Sequence, residues 1–263
     1  MNRDIKMIFF DIDGTLIDMK LRQITPRTIE ALQKLQKNGI KICIATGRAP
    51  MELPYFDGVE FDAFLTYNGS YCFNRQEKIY SKPLSRKDVY TLLKNAKQMN
   101  RPLSLATSMR LAANGADEDL IEYYGFGGMT VKIAEDFDTV AAQDEIYQVL
   151  IGCRVSEYGT LMKDVEHAKI AAWWDRAMDV IPANGGKGRG IAKVIEYYHL
   201  DRSQTMAFGD GNNDIEMLEA VGTGVAMGNA SEELKQIADE ICGNSADDGI
   251  YWYCVEKGLI EAS

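Results

Sequence analysis

The stretch that most restricts this chain is Met7-Ile8-Phe9-Phe10-Asp11-Ile12-Asp13-Gly14-Thr15. Four apolar residues in a row, too short for a helix and bounded by a turn signal, predict a fully buried strand. Asp11 and Asp13 follow at once. Strand side chains alternate with period two, so both carboxylates project the same way at the strand's carboxyl end. Two like charges side by side at the mouth of a buried sheet call for a metal cation or a shared proton. The competing reading of this stretch alone is a strand ending in a polar turn. Partners further along the chain decide between the two.

The pattern continues as alternating strands and helices. Thr25-Pro26 reads as an N-cap with proline in the first helical turn, and the helix closes at Gly39. Strands are predicted over 40–45 and 63–67, ending in Thr46-Gly47-Arg48 and Asn68-Gly69, with a hairpin over 71–80. A change comes near Pro83. A capping box at Ser85 opens a helix to about Asn100. Strands follow within 103–113, at 146–151 and within 169–181, with helices over 116–124 and 156–166. Strand–helix alternation resumes after Pro182, with a helix over 187–198, a strand over 205–209 ending in Asp210-Gly211-Asn212-Asn213-Asp214, a strand over 224–227, a short one over 240–242 and helices between and after them. The expected fold class is therefore α/β: a doubly wound, Rossmann-like parallel-sheet core formed by residues 1–82 and 183–263, interrupted by an inserted α+β cap over 83–182.

Parallel strands bring their carboxyl ends to one edge, so Asp11/Asp13, Thr46-Gly47-Arg48, the helix-opening Lys187 and Asp210 to Asp214 can converge. Carboxylates, a lysine and a hydroxyl together suit Mg²⁺-assisted phosphoryl transfer, because the metal takes hard oxygen ligands and the cations neutralise phosphoryl charge. A carboxylate that attacks phosphorus would split a hard hydrolysis into two steps. Alternatives stand beside several of these residues: Lys187 as a solvated lysine, Thr46 as a helix cap, Arg48 as a structural pairing residue and Asn68-Gly69 as a turn. Of Trp173 and Trp174, alternation puts one in a core and the other outward. His167 and His199 fall in no ligand pattern and are expected at the surface.

In this order, D-x-D-G-T, a strand ending in Thr-Gly-Arg, a helix-opening lysine and G-D-G-N-N-D resemble the haloacid dehalogenase-like superfamily. The long insertion resembles the cap of its Cof-type phosphatases. The resemblance implies Asp11 as nucleophile and metal ligand. It implies Asp13 as general acid and then base, with its backbone carbonyl at the metal. Thr46, Gly47 and Asn213 would bind the phosphoryl group, Lys187 would hold nucleophile and phosphate together, Asp210 would be a direct Mg²⁺ ligand, and Asp214 would act on the metal directly or through water. Gly186 departs from the family pattern, since relatives often carry a side chain before the lysine. The implied activity is hydrolysis of small phosphorylated metabolites, sugar phosphates first. A sugar phosphomutase and a non-catalytic sugar-phosphate-binding regulator are the competing functions.

The net charge of -10 and the lack of a basic stretch argue against nucleic acid as partner. No run approaches the roughly 18 apolar residues of a membrane span, and no signal peptide is expected. Five scattered cysteines read as reduced thiols of a cytoplasmic protein. Neither the oligomeric state nor the physiological substrate is legible.

Overall fold

A computed structural model describes residues 4–263, apart from the side chains of Trp173 and Trp174. The expected split of those two tryptophans between core and solvent therefore lies outside the described residues.

The chain opens with β1 (Met7–Phe10), every residue of it buried. Next comes α1 (Pro26–Lys37), capped by Thr25, whose hydroxyl accepts from the Thr28 amide. β2 (Lys41–Ala45), β3 (Ala63–Thr66), β4 (Tyr71–Phe73) and β5 (Lys78–Ser81) follow. The inserted stretch begins with α2 (Arg86–Gln98), capped by Ser85. It continues through β6 (Leu103–Ala106), β7 (Leu111–Ala113), α3 (Glu118–Phe126), α4 (Phe137–Gln143), β8 (Gln148–Gly152), α5 (Tyr158–Leu161), β9 (Ala168–Trp174) and β10 (Ala177–Pro182). The alternation then resumes with α6 (Lys187–Tyr197), β11 (Thr205–Gly209), α7 (Ile215–Ala220), β12 (Thr223–Ala226), α8 (Glu232–Ile237), β13 (Glu240–Ile241) and α9 (Gly249–Glu256).

Two sheets result. The larger has eight strands in the order β13-β12-β11-β1-β2-β3-β4-β5. Its first six are parallel, and the β4–β5 hairpin adds an antiparallel edge. β1 lies between β11 and β2, with Phe9 opposite Ala207 on one side and Cys43 on the other. From β1 the chain runs outward in one direction through β2 and β3, and later in the other through β12 and β13. The order therefore switches at β1, where an open α/β sheet forms its ligand crevice. Burying Phe9, Phe10 or Phe208 on this strand pair contributes roughly 1.5–3 kcal/mol each.

The smaller sheet is antiparallel throughout, in the order β7-β6-β8-β10-β9. Each sheet has its own apolar core. A third cluster joins them, with Ala49 and Tyr67 from the first part of the chain against Ala106, Leu120, Tyr124, Tyr147 and Leu150.

The helix expected over 156–166 is shorter in the structure. A 3-10 turn over Val155–Glu157 leads into α5, which stops at Leu161. Gly159 weakens the segment, the Asn95 amide takes the carbonyls of Leu161 and Lys163, and Asp164 turns left-handed at φ 61°. The unanticipated α4 is a short helix held by Phe137, Val140 and Ala141 in the second core. No helix among the described residues is long and apolar enough to cross a membrane. His167 and His199 are exposed, as expected.

Candidate active site

Asp11 leaves β1 with its amide bonded to the Phe208 carbonyl at 3.1 Å, which ties it to the neighbouring strand β11. Four residues past β1's end the backbone turns at Gly14, at φ 88°, and a Cβ there would collide with the Asp210 carboxylate. Glycine is required on both counts. Thr15 uses its hydroxyl to bond Asp210 Oδ1 at 3.0 Å. Beyond β11, Asp214 folds back so that its Oδ2 accepts from the amides of Asp210 and Gly211, at 3.0 and 3.1 Å.

Lys187 enters this group from the first turn of α6. Its ammonium donates to Asp11 Oδ1 at 2.5 Å and to Asp214 Oδ1 at 2.6 Å, and its side chain is fully buried. The solvated-lysine alternative is thereby removed. Gly186, the departure from the family pattern, sits at φ 116°, and a Cβ there would strike the Glu216 carboxylate. The left-handed backbone and the crowding explain why no side chain stands before the lysine.

Carboxylate oxygens of Asp11, Asp210 and Asp214 lie within 4.8 Å of one another. Burial raises the pKa of Asp11, with Lys187 opposing and Asp214 and Asp13 adding to the rise. Asp210 is pushed up by burial and then by Asp11 and Asp214. Burial works against the Lys187 charge, yet the two aspartates hold its pKa above the ordinary lysine value. These directions have one physical origin: among the described residues one lysine, ion-paired with Asp11 and Asp214, stands beside three clustered carboxylates. The lysine is amply paired and the carboxylates are short of positive charge. Three hard oxygen donors with unmet negative charge fit a divalent cation such as Mg²⁺.

Asp13 is gripped by Arg48, whose Nε donates to Oδ2 at 2.8 Å and Nη2 to Oδ1 at 2.6 Å. The structural-pairing reading of Arg48 is right about pairing, but its partner is a candidate catalytic carboxylate. Thr46 is buried and caps a turn, its hydroxyl accepting from the Arg48 amide at 3.1 Å. Thr46, Gly47 and Asn213 line one cavity of about 320 Å³ together with Asp11, Asp13 and Asp210. Asp214 and Lys187 sit behind it, fully buried.

The smaller sheet supplies the opposite wall, which sequence reasoning missed. Asp179 of β10 and Gln148 of β8 are buried and face the cavity. Asn68, read as part of a turn, is left-handed at φ 52° and donates to Gln148 Oε1 at 3.1 Å and Asp179 Oδ2 at 3.2 Å. Gln148 in turn donates to the Gly47 carbonyl at 3.3 Å. Tyr123 of α3 gives its hydroxyl hydrogen to Asp179 Oδ1. A signal existed: Asp179 is a lone carboxylate in the apolar run Met178-Asp179-Val180-Ile181, and a charge is rarely buried without a purpose.

A doubly wound sheet with acidic loops at its switch point, a buried lysine among them and a second sheet closing over the top define a Rossmann-like α/β domain with a covered acidic site. Residues 8–253 match the haloacid dehalogenase-like hydrolases, and the chain belongs to that family. It is 36% identical to YkrA of Bacillus subtilis over 259 residues, covering 98% of this chain and all of the relative. It is 27% identical over 269 residues to the pyridoxal phosphate phosphatase YbhA of Escherichia coli, covering 93% and 96% of the two chains. The solved subclass IIB sugar phosphatase BT4131 superposes with a TM-score of 0.88 at 29% identity, over 97% of this chain and 100% of that one. Within its family the chain is a phosphatase, a phosphoric monoester hydrolase.

Proposed function

We propose that the protein is a Mg²⁺-dependent phosphatase of small phosphorylated metabolites, sugar phosphates among them, acting through an aspartyl phosphate on Asp11. The observation that carries this reading is the Lys187 ammonium held between Asp11 and Asp214 at 2.5 and 2.6 Å beside a cavity that Asp13 also lines. In this reading residues 1–82 and 183–263 act as the catalytic core and 83–182 as the cap that closes on the leaving group. A cytoplasmic setting belongs to it too, supported by five free cysteines, four of them buried.

Asp11, Asp210, Asp214 and the Asp13 carbonyl would hold the Mg²⁺. When bound, the cation supplies charge neutralisation for the phosphoryl oxygens. A carboxylate oxygen of Asp11 attacks phosphorus as the ester P–O bond breaks, and Asp13 gives its proton to the departing oxygen. Lys187, Thr46, Gly47 and Asn213 hold the phosphoryl oxygens meanwhile. A water then attacks the same phosphorus, Asp13 takes its proton, the Asp11 carboxylate is released and inorganic phosphate departs. The cap wall keeps bulk water from this sequence.

The test is phosphate release from a panel of small esters with Mg²⁺, with chelator, and with Asp11→Asn. Chelation should abolish release and Mg²⁺ restore it. Asp11→Asn, nearly isosteric, should be inactive with an unchanged circular dichroism spectrum. Full activity in excess chelator, or in Asp11→Asn, would overturn the mechanism. Persistence of a bisphosphorylated sugar during turnover would convert the assignment to a phosphomutase.

A further inference from the structure

Asn213, which holds a phosphoryl oxygen in the reading above, is not fixed by close packing. It is half-buried and borders two cavities, the active-site one and a smaller one of about 200 Å³ that Asn68 and Lys187 also line. A carboxamide so placed can turn over, and only its nitrogen can donate to a phosphoryl oxygen. Hydrogen bonding must therefore decide which end faces the ester.

Among the described residues the Asn213 side chain has one hydrogen bond, from its Nδ2 to Asn68 Oδ1 at 3.5 Å. The contact is long, and bonds at reacting centres often tighten only when substrate binds. Asn68 itself has no choice of orientation. Its Nδ2 donates to Gln148 Oε1 at 3.1 Å and to Asp179 Oδ2 at 3.2 Å, both on the second sheet. Gln148 is fixed in turn, because its Nε2 donates to the Gly47 carbonyl at 3.3 Å and its oxygen is left for Asn68. Reversing the Asn68 amide would set its oxygen against two acceptors and strand buried donors. With that nitrogen spent on the second sheet, the Asn68 oxygen faces Asn213, and Asn213 turns its own nitrogen to meet it. An amide nitrogen carries two hydrogens, so one goes to Asn68 and one is left for the phosphoryl group. Every link points the same way, from acceptors on the second sheet to a donor at the phosphoryl site.

The turn that carries Asn68 is firmly seated. Tyr67 and Asn68 are both left-handed, at φ 51° and 52°. The Asn68 amide donates to the Thr46 carbonyl at 2.9 Å and the Tyr67 amide to the Arg48 carbonyl at 3.1 Å. Gly69 lies so near the loop before α6 that a Cβ on it would come within 2.6 Å of the Gly186 carbonyl. The turn thus braces the loops that carry Thr46, Gly47 and Lys187, while the Asn68 side chain reaches Asn213. A turn alone would be served at position 68 by glycine, which adopts this backbone without cost. The buried carboxamide, bonded to residues 80, 111 and 145 positions away, is what glycine would lack.

We propose that Asn68 is a positioning residue through which Gln148 and Asp179 of the second sheet set the Asn213 carboxamide to donate to the phosphoryl group. The second sheet then acts on the part that every ester shares, and not only on the leaving group. This inference rests on the phosphatase reading and adds to it a role that does not depend on which ester is bound.

The test measures kcat/KM of the full chain with Mg²⁺ on an alkyl ester, glucose 6-phosphate, and an aryl ester, p-nitrophenyl phosphate, with circular dichroism to confirm each fold. Asn68→Gly keeps the left-handed backbone and removes the carboxamide. It should lower kcat/KM roughly ten-fold, by the same factor on both esters, which is about the worth of one hydrogen bond. In Asn213→Ala the group to be oriented is gone, so adding Asn68→Gly should lower kcat/KM by less than about two-fold further. Asp179→Asn still offers an oxygen to Asn68 and should stay within about three-fold of the wild type, whereas Asp179→Leu should fall roughly ten-fold. The two Asp179 variants decide the matter if Asn68→Gly fails to fold. Equal losses from Asn68→Gly in the wild-type and Asn213→Ala backgrounds, or equal activity of Asp179→Asn and Asp179→Leu, would overturn the proposal and leave the phosphatase reading standing. If the wild type releases phosphate from neither ester, both fall.

Discussion

Arg48 holds Asp13 by both carboxylate oxygens, at 2.8 and 2.6 Å, and the same guanidinium donates through Nη1 to the Glu52 carbonyl at 3.1 Å. Each carboxylate oxygen keeps a second lone pair beside its bond from Arg48, so in the proposed mechanism the fork fixes the direction in which Asp13 presents the oxygen that carries the proton. Arg48 is on this account a positioning residue for Asp13.

Arg48→Lys keeps the charge and loses the planar fork. The expected result is a fall in kcat of roughly ten-fold for an alkyl phosphate, and a smaller one for an aryl phosphate whose leaving group needs less acid. Steady-state kinetics on the two esters check it. Equal falls in kcat, or a change confined to KM on both, would make Arg48 a phosphate-binding residue instead.

Lys187→Met removes the ammonium that, among the described residues, is ion-paired with Asp11 and Asp214, and leaves the methylene stem. Stranding buried carboxylates in this way costs about 3–5 kcal/mol, which lowers Tm by about 10 °C for a chain of this size. Mg²⁺ should then raise the Tm of the variant by more than that of the wild type, because the deficit it relieves is larger. Scanning calorimetry with and without Mg²⁺ measures both. Parallel Mg²⁺ shifts would mean that the three carboxylates and the lysine do not share one charge balance.

Gly186→Ala tests the loop that delivers the lysine. At φ 116° with the Glu216 carboxylate against the new methyl group, the variant must shift its backbone or displace Glu216 from Lys169, its ion-pair partner on β9. A residue forced into this region loses about 1–3 kcal/mol. The expected phenotype is a lowered Tm with a larger proportional loss of kcat, since small misplacements of a reacting array are costly. A stable variant with full activity would show that the loop tolerates a different path.

Asp179 supplies a pH-dependent stability that one variant isolates. Burial raises its pKa from 3.8 to about 7, against the hydrogen bonds from Tyr123 and Asn68; Glu52 adds to the rise and Lys187 opposes it. The folded chain therefore keeps a proton that the unfolded chain has released, and stability falls as pH climbs from about 4 to about 7, then levels off. Asp179→Asn has no such proton. Between pH 4.5 and 8 the wild type should lose on the order of 2–4 kcal/mol relative to this variant. Urea unfolding at the two pH values measures the difference, and parallel pH profiles would count against a buried, unpaired carboxylate.

What could be read from residues alone was what depends on near neighbours. The run Met7 to Phe10, the Thr25-Pro26 start of α1, the capping box at Ser85 and the glycines that end strands are local signals, because backbone hydrogen bonds and turn geometry involve residues a few positions apart. The alternation of strands and helices then implied a parallel sheet, and with it a common edge for Asp11, Thr46, Lys187 and Asp210. Pairings across that edge were not legible in the residues themselves; that Lys187 holds Asp11 was expected only through the family resemblance, and that Asp179 meets Asn68 was not expected at all. Lys187 meets Asp11 across 176 positions, and Asp179 meets Asn68 across 111. Nothing local encodes either contact. They arise because β1 lies between β2 and β11, because Gly186 turns α6 toward the sheet, and because the second sheet packs through Tyr67 and Leu150 with Asp179 facing inward. The early end of α5 has the same origin, since Asn95 on a different helix takes the carbonyls that would have continued it. Side-chain partnership between distant elements is decided by strand order and packing, and those exist only once the whole chain is folded.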